Sequence, residues 1–264
     1  MTYLEFSERL NERIFGDDLN YEILLTVLEN PKRYIGLFRA TNAKTKLIQN
    51  ITQSFEIKFG DFMEDIFTLY IEEMGYENLD KHINFNEENL NLDQLFTDNN
   101  KIYMIEQKVR DDHDSTKKRG QYLNFITKIE AVKAKYPDKF INAGMWFCDD
   151  SLTKNKKYYT EQIKNNTYDK VNISLFYGRE IFKDLFERVD IWDELIAHLR
   201  QNKIERSSEI LNVPDFDTSN EIKMALLEIK RRHPRIIKKL LSDNSDFVEL
   251  RLELFPTGRN LKGL

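Results

Sequence analysis

The sequence predicts an α/β protein: a central mixed β-sheet flanked by helices, with mainly helical segments added at both ends. Three observations carry this expectation. Apolar residues recur at helical spacing early in the chain, first at Leu10, Ile14, Leu24, Leu25 and Leu28, then more clearly at Phe62, Ile66, Leu69, Tyr70 and Met74. Short strand-like runs separated by Asn-rich turns come next. Further apolar runs at 140–148 and 171–177 then alternate with helical stretches. Helices, a hairpin, a helix, a strand, a helix, a strand and a helix make a mixed sheet covered by helices.

Each element has its own reason. Gly75 stops the helix that ends through Met74. Runs at 82–86, 90–96 and 101–109 read as strands, and Asp98-Asn99-Asn100 between the last two suits a hairpin turn. Residues 122–136 return to a helical period through Phe125, Ile129, Val132 and Ala134, and Pro137-Asp138 ends it. Residues 152–165 are polar and read as a helix, while Gly178 opens an amphipathic helix through Ile181, Phe182, Leu185 and Phe186. From Asp190 the chain is mainly helical, with a linker at 214–219, Ser219 as a candidate N-cap and a helical run at 221–241. Pro234 lies inside that run, so it kinks or splits there.

Composition bounds the function. The chain has 264 residues, 41% hydrophobic and 32% charged, which fits one enzyme-sized globule with a substantial core. Cys148 is the only cysteine, which excludes an intramolecular disulfide and a thiolate zinc cluster; its setting in an apolar run makes it a buried structural thiol. No apolar run is long enough for a bilayer, and Met1-Thr2-Tyr3-Leu4-Glu5 lacks the pattern of a signal peptide. A cytoplasmic protein with no membrane partner and no nucleotide cofactor is expected. His113 and His233 each lack a second histidine nearby, which weighs against histidine-based metal chemistry.

The net charge of −5 taken alone argues against nucleic acid as a partner. Its distribution points the other way. Lys32, Arg33, Arg39, Lys44 and Lys46 follow one another with no acidic residue between them. Between Lys101 and Lys139 stand ten basic and six acidic residues, including Lys117-Lys118-Arg119. Such patches contact a phosphate backbone while the rest of the surface stays acidic, or they are simply solvated faces.

The chemistry concentrates at Glu106-Gln107-Lys108, which closes the apolar run Ile102-Tyr103-Met104-Ile105. Glu-x-Lys also occurs at Glu56-Ile57-Lys58, Glu221-Ile222-Lys223 and Glu228-Ile229-Lys230, so context must sort the copies. A strand places residues i and i+2 on one face, whereas a helix turns them far apart. Only Glu106 follows a β-type run and has an acid, Asp93, on another run thirteen residues upstream. Alternation puts Met104, Glu106 and Lys108 on one face and Tyr103, Ile105 and Gln107 on the other. Asp93, Glu106 and the backbone carbonyl of Gln107 then offer a few hard oxygens to a divalent cation, which suits Mg²⁺ with open water positions. Lys108 handles the attacking water or the charge of the transition state in a metal-dependent phosphodiesterase. The competing reading is a surface salt bridge between Glu106 and Lys108.

These residues resemble the PD-(D/E)xK nuclease superfamily, specifically its type II restriction endonucleases. Asp93 matches the first motif acid and Glu106-x-Lys108 the second, with Leu92 where the family name has proline. Gly60-Asp61-Phe62-Met63-Glu64 fits the family's Gly-x-x-x-Glu pattern on a helix before the sheet, which makes Glu64 a secondary ligand or water holder. Taken alone, Glu64 is an ordinary helix-surface acid. Residues 109–121 resemble the stretch that leaves the sheet beside the DNA in such enzymes. There Gln121 opens the following helix and faces a phosphate, although helix capping explains it equally well. The motif match covers about 60–178, and residues 31–53 also resemble enzymes of the HinfI type, which cut a short interrupted palindrome.

The resemblance implies a restriction-endonuclease-like fold in a single endonuclease domain, 1–264. Its catalytic core is 60–190, and 1–59 and 191–264 are mainly helical additions for DNA binding and dimerisation. It implies Mg²⁺-dependent, sequence-specific cleavage of double-stranded DNA at a short palindromic site by a homodimer, since two-fold targets call for two-fold proteins. Arg39, Lys44, Lys117, Lys118, Arg119 and Gln121 are the expected DNA contacts, with Asn42, Asn220 and Lys223 as further candidates for reading bases. The rivals are a structure-specific or repair nuclease with the same core and a DNA-binding protein without catalysis.

Overall fold

The structure, a computed structural model, describes residues 1–16, 19–206 and 215–264. Pro214 of the expected linker lies outside the described residues. Three helices come first: α1 (Tyr3–Phe15), α2 (Leu19–Glu29) and α3 (Ala43–Glu73). Five strands follow, β1 (Glu77–Asn78), β2 (His82–Phe85), β3 (Glu88–Asn91), β4 (Gln94–Thr97) and β5 (Lys101–Lys108). Then come α4 (Ser115–Lys135), β6 (Phe140–Phe147), α5 (Lys156–Asn165), β7 (Val171–Tyr177), α6 (Glu180–Asp184) and α7 (Val189–Glu205). The chain closes with α8 (Asn220–Arg232), α9 (Pro234–Leu240) and α10 (Ser245–Leu254). It divides into two compact units, Gly60–Lys203 and Met1–Phe59 with Ile204–Leu264. The α/β class with a mixed sheet is as expected.

The unit Gly60–Lys203 is built on a five-stranded sheet of order β1-β4-β5-β6-β7. The β1/β4 and β4/β5 pairs are antiparallel, and β5/β6 and β6/β7 are parallel. Parallel neighbours need long crossovers, which α4 and α5 supply. Alternation along the strands separates two cores. Met104, Ala143, Met145 and Phe147 join Phe125 and Ile129 of α4 and Tyr159 of α5. On the other parity, Trp146 meets Phe67 of α3 and Phe182 of α6, and Phe96 stacks on Tyr103. With both faces covered, β5 is buried without a break from Ile102 to Gln107, and each fully buried large apolar side chain contributes roughly 1.5–3 kcal/mol.

The strand boundaries differ from the sequence reading in one consequential way. The run 90–96 is not one strand: Leu90 and Asn91 belong to β3, which pairs with β2 in a separate two-stranded sheet, while Gln94–Thr97 is β4. Asp93 stands in the break, where its carboxylate accepts the Gln107 N–H. Helix α4 also begins at Ser115, seven residues before the expected start, because Asp114 caps it by accepting the Thr116 and Lys117 N–H groups at 2.9 Å. The short edge strand β1 has too few residues to show a period. Gly75, at φ 89°, ends the turn after α3 in the left-handed region that glycine tolerates.

In the unit of the two chain ends, Leu24, Val27 and Leu28 of α2 pack in one core with Ile222, Leu226 and Ile229 of α8, Leu240 of α9 and Leu250 of α10. The run 221–241 splits rather than kinks, at His233 (φ −132°), directly before Pro234. Ser219 caps α8 by accepting the Ile222 N–H at 3.3 Å. Among the described residues no helix is long and apolar enough to cross a membrane.

Candidate active site

The hairpin register brings the motif residues together. Gln94 pairs with Ile105, so the residue before β4, Asp93, falls opposite Glu106. The Gln107 N–H donates to Asp93 Oδ2 at 2.8 Å, which fixes that carboxylate at the C-terminal end of β5. Of the four Glu-x-Lys copies, only this one lies on a strand: Glu56 is on α3, and Glu221 and Glu228 are on α8.

Three oxygens converge on the Lys108 ammonium. Asp93 Oδ2 lies at 2.7 Å, the Gln107 carbonyl oxygen at 2.8 Å and Glu106 Oε1 at 2.9 Å from Nζ. These are the three atoms the sequence marks as metal ligands. Burial works against the Lys108 charge, but the Glu106 and Asp93 carboxylates outweigh it and hold the lysine above its ordinary range.

A second lysine completes the cluster. Lys128, on α4, places Nζ 2.5 Å from Glu106 Oε2 and 3.3 Å from Asp93 Oδ1. Each lysine therefore holds one oxygen of each carboxylate, and two positive groups balance two negative ones. The side chains of Glu106 and Lys128 are 3% and 6% exposed, whereas Lys108 is 27% exposed, so the cluster opens to solvent on the Lys108 side. Sequence reasoning missed Lys128. Its signal was present, because Lys128 falls on the stripe of Phe125, Ile129 and Val132, and a lysine on a buried stripe needs a buried acid.

Glu64, on α3, has its carboxyl pushed up to about 7, chiefly by burial and further by the Asp93 charge. Among the described residues it does not gather with Asp93 and Glu106 into a three-carboxylate cluster. The Glu64 backbone carbonyl accepts from the Gln94 side chain at 2.8 Å, which ties α3 to β4.

The expected DNA contacts fall in two places. Lys117, Lys118, Arg119 and Gln121 lie along the first two turns of α4, in the same unit as Asp93. Lys117 and Arg119 are exposed, and Lys118 sits 4.7 Å above the Tyr158 ring. Gln121 does not open the helix; it is the seventh residue of α4, and its side-chain oxygen accepts the Tyr159 hydroxyl at 2.9 Å. Arg39, Asn42 and Lys44 belong to the other compact unit, as do Asn220 and Lys223 at the start of α8. Cys148 is buried directly after β6, and burial pushes its thiol well above the usual thiol range.

The donor set fits Mg²⁺. Two carboxylates and a main-chain carbonyl are hard oxygen ligands in small number, which leaves positions for water. The Lys108 ammonium occupies the point on which these oxygens converge.

The family model described as type II restriction endonuclease, HinfI, matches residues 2–89 and 70–203. No curated protein matches the chain. With most of its length matched by that model, and with two acids and a lysine assembled at a strand end, the chain belongs to the HinfI family of type II restriction endonucleases and is a site-specific deoxyribonuclease.

Proposed function

We propose that this enzyme is a Mg²⁺-dependent nuclease of the PD-(D/E)xK type that cuts both strands of a short palindromic site as a homodimer. In this reading 60–190 is the catalytic core, and 1–59 and 191–264 serve DNA binding and dimerisation. The observation that carries it is the convergence of Asp93 Oδ2, Glu106 Oε1 and the Gln107 carbonyl on one point, now held by the Lys108 ammonium.

When bound, Mg²⁺ supplies charge for the scissile phosphate and acidity for a bound water. Asp93, Glu106 and the Gln107 carbonyl would hold it. Lys108, tethered beside those ligands and partly exposed, moves from the cradle to donate hydrogen bonds to a phosphate oxygen or to the attacking water. Lys128 keeps one oxygen of each acid engaged from α4, so both carboxylates stay aimed. Glu64, tuned near neutrality, orients solvent at the edge of the site. Lys117, Lys118, Arg119 and Gln121 follow the backbone away from the cut, and Arg39 and Lys44 contact DNA from the other unit. Two copies of this arrangement, one per strand, match a two-fold site.

The test is digestion of phage or plasmid DNA with and without Mg²⁺, followed by sequencing of the ends. Discrete fragments with one symmetric end sequence, formed only with the metal, support the reading. Cutting in chelator, or ends confined to branched or damaged DNA, contradicts it.

A further inference from the structure

We propose that the tip of the loop at 36–42, Leu37 and Phe38, is a wedge that enters the DNA base stack. Both side chains stand fully in solvent, at 99% and 104% exposure, the most exposed large apolar residues among those described. They are the two central residues of a tight turn closed by the Arg39 N–H on the Gly36 carbonyl at 3.0 Å. Turn tips ordinarily carry Gly, Asn, Asp, Ser or Pro, so an exposed Leu-Phe pair there has no local structural reason.

The tip is displayed from a fixed base. Tyr34, Ile35 and Ala43 on either side of it are buried. The Gly36 N–H donates to Glu249 at 3.0 Å and the Ala43 N–H to Glu253 at 2.5 Å, both acids lying on α10. Lys32 pairs with Asp246 of the same helix at 3.5 Å, and the Arg39 guanidinium donates to the Lys32 carbonyl at 3.1 Å.

Charge decides the occupant. Between Lys32 and Lys46 the chain carries no acidic residue and five basic ones, which outnumber the three α10 acids at its base, Asp246, Glu249 and Glu253, although the whole protein is at −5. Loop against loop in a two-fold pair of copies sets this positive segment against itself. Duplex DNA provides phosphates for Arg39 and Lys44 on both sides of any base step. Between them an apolar wedge unstacks the bases, as Phe and Leu do in proteins that kink DNA. The inference rests on the reading that this unit contacts DNA through Arg39 and Lys44.

The experiment uses the full-length protein in metal-free buffer with duplexes that carry the site mapped from its own cut ends. 2-Aminopurine replaces single bases in turn, at protein concentrations that saturate binding by anisotropy. A severalfold rise in emission at one step with the wild type, lost in Leu37→Ser/Phe38→Ser while the duplex stays bound, is expected. No rise at any position, or a rise that persists in the double variant, overturns the wedge. In Phe38→Trp the indole emission falls when the duplex is added if the ring stacks, and an unchanged emission counts against it. Unaltered affinity in Arg39→Ala/Lys44→Ala removes the DNA-contact reading of the unit instead. If the double variant sediments at half the wild-type mass, the tip joins two copies and the wedge is wrong.

Discussion

Lys128 and Glu106 form a buried ion pair of 2.5 Å between α4 and β5, and the same ammonium reaches Asp93 at 3.3 Å. The pair sits 22 residues apart in sequence, outside any motif. It holds two acids from neighbouring strands side by side. Lys108 and Lys128 divide their four oxygens, so neither carboxylate faces the other uncompensated.

Removing Lys128 therefore costs the metal-free form more than the metal-loaded one. Lys128→Met strips Glu106 Oε2 and Asp93 Oδ1 of their ammonium, leaves Lys108 alone to both acids, and lowers metal-free stability by about 3 kcal/mol. Mg²⁺ bound at the same acids restores part of that loss. Thermal unfolding with and without Mg²⁺ reads it: the gain on adding metal is larger in Lys128→Met than in the wild type. Equal gains would separate Lys128 from the metal site.

Glu64 lies outside the three-oxygen cradle, so its loss weakens rather than abolishes cutting. Glu64→Gln raises the Mg²⁺ concentration for half-maximal cleavage by roughly 10–100-fold, the usual cost of an outer partner. Cleavage rates across a Mg²⁺ series measure this. A complete loss at saturating Mg²⁺ would instead make Glu64 a direct ligand.

Much of this site was legible in the sequence, for identifiable reasons. Strand alternation selected Glu106 and Lys108 over three other Glu-x-Lys copies, and the Asp98-Asn99-Asn100 turn fixed the hairpin that brings Asp93 opposite Glu106. The break at Asp93 was not legible, because Leu90, Leu92 and Phe96 keep an apolar alternation across two strands that belong to different sheets. Gln121 was misplaced as the helix opener because the polar first turn of α4 hides its start, which only the Asp114 cap reveals. Lys128 required tertiary knowledge: its stripe is visible, but its partners lie on strands that α4 meets only in the fold.

Asp217 gives a pH test in the unit of the two chain ends. It is buried and accepts the Thr257 N–H at 2.8 Å and the Arg259 N–H at 3.1 Å. Burial pushes its carboxyl up, but these donors outweigh burial and hold it below the ordinary carboxylate range. A depressed folded-state pKa contributes stability above the unfolded value, about 3.9, and that contribution is lost as pH falls through the folded one. Asp217→Ala costs about 2 kcal/mol at pH 7 and progressively less below pH 4, as urea unfolding at several pH values shows. A pH-independent difference refutes the assignment.

In the proposed mechanism Asp93, Glu106 and the Gln107 carbonyl hold the catalytic Mg²⁺. Single-turnover cleavage of a plasmid by Glu106→Gln, at saturating DNA and Mg²⁺ and with folding verified, tests it most directly. A rate at least about 10²-fold below the wild type with DNA binding intact is expected, since this acid both holds the cation in that mechanism and anchors two lysines. Cleavage at the wild-type rate would contradict it.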